Sequence, residues 1–237
     1  MDQTPLNRGA LLIVRSLSRV YTRGPERVWA LREVTLVARS GEVTLLLGPS
    51  GSGKTTLLSI LAGWERADGG EVAWGSGLDP TTPARWSELS MVPQSLGLAE
   101  ELTVRENVEL PVRLASRTLD RHDGDPVERL LSALGLAEVA DRLPREVSVG
   151  EQQRAAVARA LVLAPRLLLA DEPTGHQDTV WTRRVFRLLG SAARAGTGCL
   201  VATHDAEAVR YADRVLRIRD GRIFATEQPP AQTPPHR

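Results

Sequence analysis

Several absences in this sequence exclude whole classes of protein. A single cysteine, Cys199, rules out an internal disulfide and is typical of a reducing compartment. A net charge of +1 gives no electrostatic reason to expect nucleic acid as a partner. Residues 1–8 are polar and indicate no signal peptide. The longest apolar stretch, 160–170, is broken by Pro165 and Arg166 and is far from the ~20 residues that span a bilayer. If the protein works at a membrane, we expect another chain to span it.

Lysine is almost absent as well. Lysine and arginine together number 30, and Lys54 is the sole lysine. An ammonium group is a compact point charge, whereas a guanidinium group is wide and planar, so the two are not interchangeable in a tight site. The composition therefore marks Lys54 as a residue with a specific task.

Strand and helix patterns alternate along most of the chain. Residues 12–21 and 34–38 read as strands on either side of a turn, and 43–47 is a continuous apolar run typical of a strand buried on both faces. The middle of the chain, about 95–163, is mainly helical, and strands and helices alternate after it. This pattern predicts an α/β fold with a mainly parallel sheet, an N-terminal antiparallel β subdomain and a helical insertion.

We assign one domain to residues 10–227. The polar segment 1–9 and the proline-rich segment 228–237 have too few apolar residues to pack, so we expect both to be disordered.

Residues 48–55 read GPSGSGKT and fit the phosphate-binding pattern G-x-x-x-x-G-K-[ST] between a buried strand and an amphipathic helix. The glycines allow backbone N–H groups to turn towards an anion, and the start of the helix adds its positive end. Lys54 should reach the β- and γ-phosphates, and the Thr55 hydroxyl should bind Mg²⁺. A glycine-rich turn without a ligand is the alternative. The candidate nucleotide-binding residues are Gly48, Pro49, Ser50, Gly51, Ser52, Gly53, Lys54, Thr55 and Thr56.

A second apolar run, 167–170, ends in the carboxylates Asp171 and Glu172. Ligands of parallel α/β sheets bind at the carboxyl ends of strands, so these acids should lie beside the phosphate loop. Asp171 is placed to hold Mg²⁺ directly or through water, and Glu172 to orient and deprotonate the attacking water. Taken alone, two acids at a solvated turn would be an equally good interpretation.

These two motifs indicate a P-loop NTPase, and five further features resemble those of the ABC ATPases. Residues 148–154, SVGEQQR, resemble the ABC signature. Gln94, Asp178 and His204 match the Q-loop glutamine, the D-loop aspartate and the switch histidine. Tyr21 lies where the family has an aromatic residue that stacks on adenine, although it also fits an ordinary strand residue. The resemblance covers nearly the whole chain.

The resemblance implies a mechanism and partners. Two cassettes would sandwich two ATP molecules, each bound by the phosphate loop of one subunit and by Ser148, Gly150 and Asp178 around the signature of the other. Glu172, His204 and Gln94 would form the catalytic set, with Gln94 also a Mg²⁺ ligand beside Thr55 and Asp171. The motion would pass to transmembrane permease subunits, which places the chain in the cytoplasm, peripheral on the inner face of the cell membrane.

Residues 103–112 and 168–175 look like the macrolide-export and lipoprotein-release group of that family, which favours export or extraction from the membrane. The sequence also departs from the family pattern. Val147 and Val149 replace the leucine and the first glycine of the signature, and Gln177 replaces an apolar residue before Asp178. We therefore expect Val149 to slow the ATP site that this signature completes, with a different ATPase chain as the natural partner.

Two other functions remain open from the sequence. A soluble ABC ATPase with a role in assembly or translation would move no solute, although the translation type normally has two ATPase domains in one chain. A regulatory module that binds nucleotide without hydrolysis is disfavoured by the intact Glu172 and His204. The remaining histidines, at 122, 176 and 236, have no partner spacing, so we assign them no metal.

Overall fold

The computed structural model describes residues 9–75, 78, 86–115, 125–175 and 177–229. The strands in this part of the chain are β1 (Ala10–Arg23), β2 (Glu26–Arg39), β3 (Val43–Leu47), β4 (Gly69–Trp74), β5 (Leu89–Val92), β6 (Leu167–Asp171), β7 (Gly198–Thr203), β8 (Arg214–Arg219) and β9 (Arg222–Glu227). The helices are α1 (Lys54–Leu61), α2 (Val104–Leu114), α3 (Pro126–Ala133), α4 (Val149–Leu161) and α5 (Thr179–Arg194). Short 3-10 helices lie at Ala137–Val139, Pro144–Glu146 and Ala206–Tyr211.

Two sheets organise these elements. The first is antiparallel, with the strand order β2-β1-β4. The second has the order β5-β6-β7-β3-β8-β9, in which all neighbours are parallel except the final hairpin of β8 and β9. Every residue of β3 and β6 is buried, as expected of parallel strands covered on both faces.

The core consists of two clusters on opposite faces of the large sheet. Successive side chains of a strand point to opposite faces, so Leu45 and Leu47 join one cluster and Leu46 the other. The first cluster packs against α2, α3, α4 and α5, and the second against α1 and the antiparallel sheet. This layering directs the carboxyl ends of β3 and β6, with the loops that follow them, to one edge of the sheet.

Side chains cap α4, which carries the signature, and α5, which follows it in the chain. The Ser148 hydroxyl accepts a hydrogen bond from the Glu151 N–H, and the Glu151 carboxylate accepts one from the Ser148 N–H, forming the capping box expected from the sequence. Asp178 caps α5 by accepting from the Trp181 N–H. These caps fix where α4 and α5 begin.

The α/β fold predicted from the sequence is confirmed, including the antiparallel N-terminal sheet and the helical middle. The domain limits stay a prediction, because the ends expected to be disordered lie almost wholly outside the described residues, as does 116–124 within the helical insertion. No helix in the described part of the chain has the length and apolar character needed to cross a membrane.

Candidate functional site

The phosphate-loop sequence forms the turn between β3 and α1. Gly53 has a φ of 103°, and a side chain there would meet the Ala30 carbonyl oxygen at 2.3 Å. Gly48 is equally constrained, since its Cβ would lie 2.2 Å from the Ile218 carbonyl oxygen. Because Gly53 stands at the N-cap without a side chain to cap the helix, the first N–H groups of α1 are left for an anion.

Backbone carbonyl groups of the phosphate loop hold the Lys54 side chain over the loop. Its Nζ donates to the carbonyl oxygens of Gly48 at 2.7 Å and Pro49 at 3.1 Å. The side chain is only 7% exposed and lies 3.9 Å from the Glu172 carboxylate. A positive charge is thus held where the loop and the acids meet.

Asp171, at the end of β6, is a buried carboxylate that lacks partners. The residue is 1% exposed, and within the described chain neither carboxylate oxygen has a hydrogen-bond partner of ordinary geometry. Burial raises the pKa of Asp171, while the neighbouring Thr55 hydroxyl and the Lys54 charge act in the opposite direction. An orphaned buried carboxylate beside a threonine hydroxyl is a donor set that fits Mg²⁺.

Glu172 has a strained backbone and an oriented side chain. Its φ of 50° lies in the left-handed region that non-glycine residues seldom adopt. Its N–H donates to the Ala202 carbonyl oxygen at 2.9 Å. Its carboxylate accepts from the Thr203 hydroxyl at 2.9 Å and contacts His204 Nδ1 at 2.8 Å. The end of β7 therefore fixes the direction of this carboxylate.

One cavity of about 230 Å³ brings most of the predicted site together. Larger hollows lie on the antiparallel sheet and between α3 and α5, but neither is lined by the phosphate loop or the two acids, so the chemistry favours the smaller one. Its lining includes Val28, Trp29, Ala30, Ser50, Gly51, Gly53, Lys54, Thr55, Thr56, Gln94, Asp171 and Glu172.

Tyr21 lies near this cavity without lining it. Its hydroxyl donates to the Glu65 carboxylate at 2.6 Å and lies 3.5 Å from the Thr56 hydroxyl. The Arg19 guanidinium lies 4.8 Å from the ring centre and covers one face of the ring. Stacking on adenine stays a prediction and is restricted to the other face.

The signature and D-loop residues lie apart from the cavity lining. Ser148 and Asp178 act as helix caps, and Val149, the first residue of α4, is 51% exposed. Gly150 is half-buried. This chain by itself does not bring these residues to its own phosphate loop.

Sequence reasoning missed two polar residues that support the site. Arg159 is 8% exposed and donates to the carbonyl oxygens of Gly97 at 2.6 Å and Leu96 at 3.0 Å, just after Gln94. Burial lowers the pKa of Arg159. Gln153 is 2% exposed and donates to the carbonyl oxygen of Glu172 at 3.4 Å. The available signal was their position on a helix face that is otherwise alanine, valine and leucine.

Comparison with known proteins decides the family. The family model described as "ABC transporter" matches residues 31–175. The chain belongs to the ABC transporter family.

Individual relatives of the chain carry transporter names. It is 40% identical to the lipoprotein-releasing system ATP-binding protein LolD 2 of Caulobacter vibrioides, over 90% of this chain and 96% of that protein. It is 37% identical to the macrolide export ATP-binding/permease protein MacB of Bordetella avium, over 94% of this chain but only 35% of that protein. Among solved structures, the dimeric ATP-binding cassette MJ0796, in a post-hydrolysis state with ADP and Pi, has a TM-score of 0.82 and 31% identity, covering 93% of this chain and 100% of that one.

This ABC protein is an ATP-binding and ATP-hydrolysing transporter subunit. The solved MJ0796 cassettes are dimeric, and the macrolide export relatives are named as combined ATP-binding/permease proteins. The sequence-based predictions of family, fold and enzyme class are thereby confirmed. The relatives named above are all transporter components, so nothing in them favours the non-transport alternative.

Proposed function

We propose that this chain, peripheral on the inner face of the cell membrane, hydrolyses MgATP in the 230 Å³ cavity and so drives export, or extraction from the membrane, through a separate transmembrane permease. The observation that carries the proposal is the buried, unpartnered Asp171 beside Thr55 and Lys54. A charged group left in this state is costly unless a cation and phosphate complete the site.

The phosphate loop binds and orients the triphosphate. Backbone N–H groups at the start of α1 receive the phosphate oxygens, and Lys54 adds a charge at the β- and γ-phosphates. Thr55, Asp171 and Gln94 would hold Mg²⁺, which would supply positive charge against the phosphates when bound.

Glu172 acts on the attacking water. The water oxygen forms a bond to the γ-phosphorus as its proton moves to the Glu172 carboxylate, and the bond from the γ-phosphorus to the bridging oxygen breaks, leaving ADP and phosphate. His204 keeps the carboxylate in direction and, being 66% exposed, can reach a γ-phosphate oxygen. Ser148 and Gly150 of a second cassette close the other side of the ATP.

The lipoprotein-releasing relatives support a separate permease, because the chain covers 96% of LolD 2 from Caulobacter vibrioides. The macrolide export relatives support outward transport, although the chain covers only about a third of their length. One name describes the release of lipoproteins and the other the export of macrolides.

The direct test is the variant Glu172→Gln in the full chain. The glutamine keeps the shape of the side chain but cannot accept the proton, so MgATP binding should persist while turnover falls by roughly 10²-fold or more. Size-exclusion chromatography with MgATP should then show an ATP-bound dimer. Unchanged turnover with only monomer would exclude Glu172 as the base.

The membrane role is tested by fractionation. The chain should sediment with membranes together with a multi-span protein, and that complex should have ATPase activity that EDTA removes. If the chain never associates with a multi-span protein, the non-transport role becomes the better-supported function.

A further inference from the structure

Two glutamine side chains connect the start of α4 with the segment that follows β6. Gln177 Nε2 donates to the Gly150 carbonyl oxygen at 2.6 Å. In the opposite direction, Gln153 Nε2 donates to the Glu172 carbonyl oxygen at 3.4 Å. Each side of this contact supplies one side-chain amide and one backbone carbonyl. We call this pair of contacts the glutamine clamp.

Gln177 is held at both ends of its amide. Its Oε1 accepts from Arg154 Nη1 at 2.9 Å. Arg154 also donates through Nε to the Leu134 carbonyl oxygen at 2.8 Å and lies 4.0 Å from the ring centre of Trp181 on α5. Asp178, the next residue after Gln177, caps α5. The clamp therefore joins α4 to the loop before α5, and Arg154 joins α4 to α5 itself.

A side-chain amide is required for both contacts of Gln177. An amide has a donor nitrogen and an acceptor oxygen, a carboxylate has acceptors only, and a methionine side chain has no strong donor or acceptor. A glutamate at this position would keep a partner for Arg154 but turn an acceptor towards the Gly150 carbonyl. An apolar residue, as the family resemblance suggests here, would make neither hydrogen bond.

We propose that Gln177 is a positioning residue that fixes residues 148–150 relative to the strand end that carries Glu172. The inference rests on the proposed function, in which residues 148–150 contact ATP held by a second cassette and Glu172 acts on ATP held by its own. The clamp makes these two elements one rigid unit within the subunit. Gln177 does not line the ATP cavity of its own subunit, so its loss should lower the rate of hydrolysis while leaving ATP binding by that subunit's phosphate loop intact.

The test compares Gln177→Met, Gln177→Glu and the control Gln228→Met in the full chain. Gln228 is exposed beyond β9, so the control makes the same substitution outside the clamp. We expect kcat to fall about tenfold in both Gln177 variants, since small displacements of reacting groups cost that much or more. The KM and the dissociation constant for fluorescent ATP should stay within about twofold of wild type, as for loss of an interaction that acts only during turnover.

A second measurement follows the clamp without using catalysis. Hydrogen exchange of the amides in the first turns of α4 should be faster in Gln177→Met than in wild type and unchanged in Gln228→Met. This arm separates the two proposals. If the wild-type chain fails to bind ATP, the proposed function fails, whereas the exchange data still report on the clamp.

The two glutamines should also act as a unit. Gln153→Met alone should lower kcat, and the double variant with Gln177→Met should lose no more than about the worse single variant. The proposal is overturned if Gln177→Met keeps kcat within twofold of wild type, if its ATP affinity falls together with kcat, or if exchange in α4 is unchanged.

Discussion

At the residue scale, the end of β6 concentrates features that a stable fold by itself would avoid. Asp171 is a buried carboxylate without a hydrogen-bond partner among the described residues, and Glu172 has a left-handed backbone. Such features persist where surrounding structure holds them for function. These features should lower the free energy of unfolding of the ligand-free protein, and they leave the site already arranged for MgATP.

The cost of Asp171 can be measured by removing its charge. Burial raises its pKa, so the folded state binds the proton more tightly than the unfolded chain does. The destabilisation is absent below the ordinary carboxylate pKa and develops as the pH rises through the raised one. Without nucleotide at pH 7, Asp171→Asn should raise Tm by about 2–4 °C, the change expected from roughly 1 kcal/mol in a domain of this size.

The control for this variant is Asp220→Asn, at an aspartate whose side chain is 90% exposed. Its Tm should not change, and the gain in Asp171→Asn should shrink as the pH falls towards the ordinary carboxylate pKa. A lower Tm for Asp171→Asn at pH 7 would mean that the charge is already compensated in the free protein.

Lys54 is tested by two substitutions of different kind. Lys54→Ala removes the positive charge that we expect to contact the β- and γ-phosphates, and it should abolish most ATP binding. Lys54→Arg keeps the positive charge, but the Lys54 side chain is only 7% exposed and its ammonium group contacts the Gly48 and Pro49 carbonyls. A guanidinium group is too wide for this space, so ATP binding should be nearly as weak as in Lys54→Ala. Titration with fluorescent ATP measures both. Arg113→Lys, on the exposed side of α2, is the reciprocal control, and retained hydrolysis in Lys54→Arg would contradict this role for the lone lysine.

At the scale of elements, some boundaries follow directly from sequence. α2 could be predicted residue by residue, because Thr103 and Glu106 form a capping box before an amphipathic run. β1 and β2 extend beyond their predicted apolar cores because backbone pairing continues through exposed residues. Register shifts along this pair also interrupt the alternation on which the prediction depended.

The candidate site divides in the same way. The proximity of Asp171 and Glu172 to the phosphate loop could be predicted, because parallel strands end at one edge of the sheet. The contact of Gln177 with Gly150 could not be predicted, because it joins residues that are 27 positions apart in the sequence and depends on one side-chain rotamer. The cover of Arg19 over Tyr21 is likewise a matter of side-chain packing, which periodicity does not encode.

The exposed start of α4 gives a prediction at this scale. Val149 is 51% exposed, so truncating it leaves no cavity in this chain. Its methyl groups should hold the γ-phosphate of a second cassette at a distance, at a cost on the order of 1–3 kcal/mol in the closed dimer. In the assembled complex with its membrane subunits, Val149→Gly should therefore raise the ATPase rate several-fold without changing helix content.

The matched control is Val180→Gly, the same truncation at an exposed residue in the first turn of α5. Its rate should equal that of wild type. An unchanged or lower rate for Val149→Gly would mean that the valine points away from the nucleotide, and that two copies of this chain form an ordinary homodimer.

At the scale of the whole molecule, β9 is the last strand in the described part of the chain. This strand pairs with β8 at the edge of the large sheet, and the proline-rich residues follow it. Deleting 228–237 should leave Tm and ATPase activity almost unchanged, because such a composition buries little apolar surface. A longer deletion that includes β9 should lower Tm clearly, since it strips the pairs with β8. Differential scanning calorimetry distinguishes the two, and a large loss of Tm with the short deletion would show that the tail packs.

The burial of Lys54 has a practical consequence for chemical labelling. An acylating reagent finds one side-chain amine in the entire sequence, and that amine lies against the phosphate-loop carbonyls. Acylation of this side chain therefore reports on one place only, and we expect a bound triphosphate to shield it further. Mass spectrometry of the acylated peptide that contains Lys54 would thus measure the occupancy of the nucleotide site without a labelled nucleotide or a substituted residue. Proteases that cleave after lysine likewise have one side chain to recognise, and folding hides it.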